Sequence, residues 1–281
     1  MKSIILTFCA LTLSTVLFLS VSAQNQTTMQ TYKAVKGETM INAGRGSMDV
    51  LVIRNYLPWS YDVTVPLLEG LGATVSTADS WTYPGIDFSQ FGKIVIESVQ
   101  GPDFYSDLLT NMAQFETYVN NGGILEIHGT TQGIEFSMPG GVISRNTNHA
   151  YCYQTLPGHP ILAGVIDPMH GDWATHNYLD NLPGSAQILT RGTGSDLPTT
   201  AIYSIGSGMV IATTLTMEIA YFYQVYYGPA LFDFAVPMYP QMLQYGLTPE
   251  PPVETPVSNW AILIGIALIL SIAAIRFRRI A

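Results

Sequence analysis

Charge is scarce in this chain. Asp, Glu, Lys and Arg together make up 11% of its 281 residues, well under the usual quarter of a soluble domain, so disorder and coiled coil are excluded. Basic groups are scarcer still: 11 Lys and Arg stand against 20 Asp and Glu, giving a formal charge of −9 and a pI near 4.8. Nucleic acid is thereby excluded as a partner, because its phosphates need a basic face. Cysteine occurs only as Cys9 and Cys152. No internal repeat is present, so a repeat array is excluded and one large domain is the economical reading.

Apolar sequence, by contrast, is abundant at both ends. Lys2 is the only charge in residues 1–23, Ile4 to Val21 is almost wholly apolar or small, and Val21-Ser22-Ala23 is a small-x-small cleavage site. With the abrupt polarity of Gln24-Asn25-Gln26, this pattern favours a cleaved secretory leader over a retained membrane anchor. Cys9 lies inside that leader and not at its cleavage site, which argues against a lipoprotein. Only Cys152 stays in the body, so no internal disulfide can form and stability rests on the core.

The far end carries a second apolar run. Trp260 opens it, Ala261 to Ile275 holds no charge, and Arg276, Arg278 and Arg279 close it. Its 15 uncharged residues fall short of the roughly 20 that a span requires, but Trp260 and Phe277 extend it at the interfaces. The arginines mark the cytoplasmic side. The expected organisation is a signal peptide (1–23), a polar surface arm (24–47), one α/β domain (48–246), a stiff Pro-rich linker (247–259), a transmembrane helix (260–275) and a basic cytoplasmic tail (276–281). Without Lys2 and the three terminal arginines, seven basic residues face all 20 acids, a formal −13 for residues 24–259. Such a body is repelled by anionic lipid and tolerates neutral or cationic partners.

Pro256-Val257-Ser258-Asn259-Trp260, the apolar helix and the Arg cluster together resemble the tripartite C-terminal sorting signals of bacterial surface proteins. The variant opening Pro-Thr-Leu-Ser-Glu-Trp is similar, although this chain is one residue shorter there and has Asn259 in place of Glu. The resemblance implies a sorting enzyme as a partner, with simple retention as a single-pass membrane protein as the alternative. Either places the body outside the cytoplasm, in a bacterial cell envelope.

Between the ends, strands and helices alternate. Asp49 to Arg54 is a continuous β-branched run, the mark of a strand buried on both faces. Val63, Leu67, Leu68 and Leu71 recur at helical spacing. Ala73–Ala78, Lys93–Glu97 and Ile124–His128 read as further strands. A helix is expected around Leu108 to Asn120 with Leu109, Met112, Phe115 and Val119 inward, capped by Asn121-Gly122-Gly123. The second half is less regular: Ala186–Thr190, Thr200–Ser204 and Met209–Thr214 read as strands, and Leu231–Leu243 as an apolar, helix-like stretch broken by Pro237 and Pro240. This alternation predicts an α/β fold class, a flavodoxin-like three-layer sandwich with a mostly parallel central sheet.

In an open parallel sheet, ligands bind beyond the carboxyl ends of the strands. Those ends carry Arg54, Asn55, Tyr56, Trp59 and Tyr61 after the first strand, Glu97, Ser98 and Gln100 after the third, and His128, Thr130, Thr131 and Gln132 after the fourth. A cation, aromatics, a carboxylate, an imidazole and an amide are expected to converge on one crevice, with Arg54, Trp59, Tyr61 and Gln132 as its ligand-binding set.

Asn121-Gly122-Gly123-Ile124-Leu125-Glu126-Ile127-His128-Gly129 resembles the strand and sharp turn of class I glutamine amidotransferase-like proteins, in their trehalose-utilisation (ThuA-like) branch. His159-Pro160-Ile161 with Gly164-Val165, and Ser207 to Ile211 leading into Thr213-Thr214-Leu215, extend the likeness over about residues 48 to 225. True amidotransferases place a nucleophilic Cys where this chain has His128, so thiol-based glutamine hydrolysis is excluded. The resemblance implies His128 and Glu97 as an acid/base pair acting on a sugar or keto-sugar. The alternatives are structural: His128 bonded to a neighbouring loop, and Glu97 in a salt bridge with Arg54.

His170, Asp172 and His176 could form a facial divalent-metal triad. Their spacing matches no standard metal motif and a hydrogen-bonded loop is the plainer reading, so no cofactor is otherwise expected. Cys152, between Tyr151 and Tyr153, reads as an inert half-buried thiol. Sixteen Tyr and four Trp suit a sugar or glycan ligand; Trp59, Tyr61, Trp81 and Tyr83 sit on expected loops, whereas Tyr221 to Tyr227 reads as packing. Two functions follow as expectations: a surface-anchored carbohydrate-binding or structural module that has lost the amidotransferase thiol, or a ThuA-like enzyme.

Overall fold

A computed structural model describes residues 48–247. The expected leader, arm, most of the linker, the transmembrane helix and the sorting signal lie outside the described residues. Among the described residues, no helix is long and apolar enough to cross a membrane.

The apolar runs form the expected strands β1 (Asp49–Ile53), β2 (Thr74–Ala78), β3 (Lys93–Ile96) and β4 (Ile124–His128). Helix α1 (Thr64–Gly70) joins the first two, and Gly72, at φ +88, turns the chain back toward the sheet in a conformation glycine adopts without penalty. The helix expected around 108–120 is two: α2 (Pro102–Thr110) and α3 (Met112–Asn120), separated at Asn111. That break resets the helical phase, so Leu108 is buried while Leu109, expected inward, is 59% exposed.

Beyond β4 come β5 (Phe136–Ser137), β6 (Ile143–Gln154), β7 (Met169–Asp180), β8 (Gln187–Gly192), β9 (Pro198–Ile205) and β10 (Gly208–Thr213), then helices α4 (Met217–Tyr227) and α5 (Ala235–Gln244). Helix α5 tolerates Pro240 in its interior, contrary to the break expected there.

The strand order is β2-β1-β3-β4-β10-β9-β8-β6-β5, with β7 paired to β6. The sheet is mixed. Strands β2, β1, β3, β4 and β10 run parallel; every pairing from β10 outward through β9, β8, β6, β5 and β7 is antiparallel. The expected predominance of parallel pairing therefore holds for one half only. The long strands β6 and β7 interleave polar and apolar residues irregularly and carry none of the continuous apolar signal of the parallel half.

Alternation along each strand divides the core into two faces. Val50, Val52, Val95, Ile124, Met209 and Ile211 pack with Leu68 of α1, Met217 and Ala220 of α4, and Met238, Tyr239 and Met242 of α5. Leu51, Ile53, Ile94, Ile96, Leu125, Ile127 and Val210 pack with Phe104 and Leu108 of α2 and Phe115 and Val119 of α3. Arg54, Lys93, Glu97, Glu126 and His128 all share the parity of the first set. These five ionisable groups thus lie on one side, beneath α1, α4 and α5.

Candidate functional site

His128 ends β4 and pairs in register with Thr213 of β10. Its side chain is fully buried and both ring nitrogens are engaged: Nδ1 lies 2.7 Å from Glu218 Oε1 and Nε2 lies 2.8 Å from Glu126 Oε1. Two carboxylate acceptors require two N–H donors, so the ring is an imidazolium. Burial alone would pull its pKa down, but Glu218 and Glu126 overcome this and raise it to about 10.

The chain of charge continues on both sides. Lys93 Nζ stands 2.6 Å from Glu126 Oε2, off the hydrogen-bond line, and donates to the carbonyls of Met242 (2.8 Å) and Leu243 (2.9 Å). Glu218 accepts from the Ser98 backbone N–H (3.1 Å) and hydroxyl (2.8 Å). Desolvation would raise both carboxyls, yet Lys93 and His128 hold Glu126 below its ordinary value, and His128 and Ser98 do the same for Glu218. The sequence Lys93, Glu126, His128, Glu218 is thus a buried line of alternating charge.

Glu97 makes no hydrogen bond to His128, whose ring nitrogens meet Glu218 and Glu126. Its partner is Arg54, whose Nη1 lies 3.2 Å from Glu97 Oε2 and 2.9 Å from Asp62 Oδ1. The salt-bridge alternative is the arrangement found. Burial pushes the Glu97 carboxyl up to about 7, against the pull of Arg54. A group with a raised pKa contributes stability below its unfolded value of 4.5 and loses it as pH rises through 7. Wild-type stability is therefore expected to fall by about 3 kcal/mol over that interval. Glu97→Gln, which cannot ionise, should flatten that part of the profile in denaturant melts against pH; an unchanged slope would assign the loss elsewhere.

His128 and Glu97 are wholly buried, and neither lines either of the two cavities described among residues 48–247. The reason lies in the elements after β10. Helix α4 carries Glu218 onto the imidazole, and α5 places Tyr239, whose ring centre is 5.3 Å from that of His128, over the strand ends. No charged residue marks α5, and Glu218 is a lone acid in an aromatic run, so sequence reasoning missed this cover. It also missed Lys93 and Glu126 as partners. The available signal was a Lys and a Glu inside strands read as buried on both faces, where an unpaired charge is prohibitive.

A cavity of about 230 Å³ opens instead between Trp59, Asp172, Trp173, His176, Thr216, Ile219, Tyr223, Leu231 and Phe232. Trp59 follows β1 and Thr216 follows β10, so this cleft keeps to the carboxyl rim expected of the sheet. His176 sits between two indoles, its ring centre 5.7 Å from Trp59 and 5.5 Å from Trp173, with Trp173 stacked at 16°. Burial lowers the His176 pKa, and its Nδ1 lies 2.9 Å from Asn148 Oδ1. The neutral ring therefore donates from Nδ1 and presents Nε2 as an acceptor.

Trp59 has a buried indole N–H without a hydrogen-bond partner. Its backbone is left-handed, φ 54, as is that of Ser60, φ 68. Two consecutive non-glycine residues in that region are costly, and such strain collects at functional sites. Thr216 fixes the opposite wall by donating from Oγ1 to the Trp173 carbonyl at 3.0 Å.

Of the expected ligand set, only Trp59 lines the cleft. Arg54 is tied to Glu97 and Asp62, Tyr61 stacks on Phe222 at 3.7 Å, and Gln132 is exposed and lines neither cavity. The metal triad is not assembled. No group of three His, Cys, Asp or Glu able to hold an ion occurs among the described residues. His170 and His176 lie on one strand, β7, whose pairing with β6 is interrupted between them by a bulge that brings Gly171 close to Ala174. The stretch read as a loop is that strand, and its His170 packs on Tyr151. Cys152 is wholly buried, deeper than expected, and burial pushes its thiol up to about 12.

No protein-family model matches the chain. A protein of Clostridium acetobutylicum, described only as uncharacterized, is 28% identical over 183 residues, covering 62% of this chain and 19% of that protein. The chain thus spans about a fifth of the length of this curated relative. Among solved structures, similarity is found to a glutamine amidotransferase from Thermotoga maritima (12% identity, 72% of this chain and 98% of that one, TM-score 0.46). A cytoplasmic protein from Salmonella typhimurium is similar at 16% identity, 70% and 98% coverage and TM-score 0.46. A ThuA-like protein from Parabacteroides merdae is similar at 18% identity, 60% and 79% coverage and TM-score 0.39.

Proposed function

We propose that this chain is an envelope-displayed module that binds a carbohydrate ring in the Trp59–Trp173–His176 cleft and performs no catalysis at His128. One observation carries the reading: Trp59, Trp173, His176, Tyr223 and Phe232 set aromatic faces around one cavity that holds a single carboxylate, Asp172. A pyranose offers both complements, an apolar face for stacking and hydroxyls around its edge. His176 Nε2 supplies an acceptor and Asp172 a carboxylate. The absence of catalysis is supported by the commitment of both His128 nitrogens to buried carboxylates. Display at the envelope is supported by the leader-like and sorting-like ends of the sequence.

The test is tryptophan fluorescence and calorimetry on the purified full-length chain with a panel of neutral mono- and disaccharides. Trp173→Ala should weaken binding roughly tenfold, the loss of about 1.4 kcal/mol of stacking. Trp59→Ala removes the aromatic face on the other side of His176 and should cost about 1 kcal/mol. Product formation from a bound saccharide would restore an enzyme. Silence across the whole panel would remove the carbohydrate reading.

A further inference from the structure

Helix α4 buries Met217, Glu218 and Ala220 and leaves its far end in water: Val225, Tyr226 and Tyr227 are 51%, 69% and 68% exposed. The run read from sequence as packing is therefore only half so. A solvent-facing helical surface ordinarily carries charge, yet after Glu218 this helix has none. Its outer surface is aromatic and continuous with the cleft. Tyr223, which lines the cavity, has its ring centre 5.2 Å from that of Tyr227; Phe222, held against Tyr61, lies 4.5 Å from Tyr226. These are i, i+4 pairs, so the rings line up along the helix axis.

We infer that the ligand is an uncharged, unbranched glycan of several rings, with one ring in the cleft and the following ones laid across Tyr223, Tyr227 and Tyr226. This rests on the carbohydrate reading of the cleft and extends it outward. The occupant follows from charge and chemistry. Asp172 is the one charged residue lining the cavity, and the body carries a formal −13, so acidic polysaccharides, phosphate polymers and anionic lipid are repelled. Tyrosine rather than leucine on the exposed face supplies a hydroxyl beside each stacking surface, which a sugar chain uses and an apolar helix does not.

The experiment is calorimetry on the full-length chain with cello-oligosaccharides and N-acetylglucosamine oligomers, each from monosaccharide to hexasaccharide. Affinity should rise roughly tenfold with the first added rings and then level off. Tyr226→Ala and Tyr227→Ala should abolish that gain and leave monosaccharide affinity unchanged, and carboxymethylated oligomers should bind more weakly. Monosaccharide binding without a length dependence, or Tyr variants that lower every length equally, overturns this inference alone. Silence toward every saccharide overturns the cleft reading with it. Self-association or vesicle binding that disappears in Tyr226→Ala would hand the face to another copy or to lipid, and overturns it as well.

Discussion

Replacing His128 by alanine is expected to cost the domain about 3–5 kcal/mol, the range for removing one member of a buried ion pair. That is a large share of the roughly 5–15 kcal/mol that holds a domain folded. The size follows from what is left behind. Glu126 and Glu218 would remain fully buried, the first with Lys93 alone and the second with only the Ser98 donors. Denaturant midpoints measure the effect, and a loss under about 1 kcal/mol, the level of an exposed pair, would show that the imidazole carries no charge. A second variant separates packing from charge. Exchanging Lys93, Glu126, His128 and Glu218 together for apolar residues of similar volume should recover much of the loss, because well-packed apolar groups often match or exceed a buried ionic network. The consequence for function is direct. Loss of activity in a His128 variant would report unfolding before it reported catalysis.

The same network should make the fold sensitive to alkali. The folded pKa of His128 is raised from 6.5 to about 10, so its contribution is complete below 6.5 and is lost as pH climbs through 10. At about 1.4 kcal/mol for each pH unit, the full loss is about 5 kcal/mol. Glu126 and Glu218 have the opposite sign. Held below their ordinary value of 4.5, they contribute fully above it and lose that contribution on acidification. The two effects leave a stability maximum between about 4.5 and 6.5, tilted downward by the ionisation of Glu97. Melts from pH 5 to 10 test this. A profile flat between 6.5 and 10 would mean that the ring is neutral and the paired-charge description fails.

The buried line of charge also gives His128 a structural meaning. His128 binds Glu218 in the first turn of α4, and that helix presents Ile219 and Tyr223 to the cleft on its other side. The group at the strand end, expected to act on a ligand directly, holds in place the helix that walls the cleft.

How much of this was legible in the sequence depended on the range of the interactions involved. Strands β1, β3, β4 and β10 announce themselves because each is buried on both faces and is apolar along most of its length; β2, at the sheet edge, is largely exposed. Strands β6 and β7 pair mainly with each other, outside the parallel layers. Their residues are alternately buried and wet with irregular phase, and local composition fixes neither their existence nor their length. Helix α4 is hidden for a related reason: its aromatic run satisfies the signals of a strand, a loop or a helix equally, and only packing on α5 and Tyr61 selects the last.

The sequence by itself determined the acidic, disulfide-free α/β body, the parallel half of its sheet and the rim where a site would lie. Those follow from composition and from periodicities set within a few residues. Tertiary structure alone decided what stands on that rim. It enclosed His128 among charges far apart along the chain, left His170, Asp172 and His176 short of a metal triad, and brought Trp59 of the first half against His176 of the second, beside Trp173. Such encounters depend on where helices α4 and α5 close over the sheet, and no local pattern encodes that position.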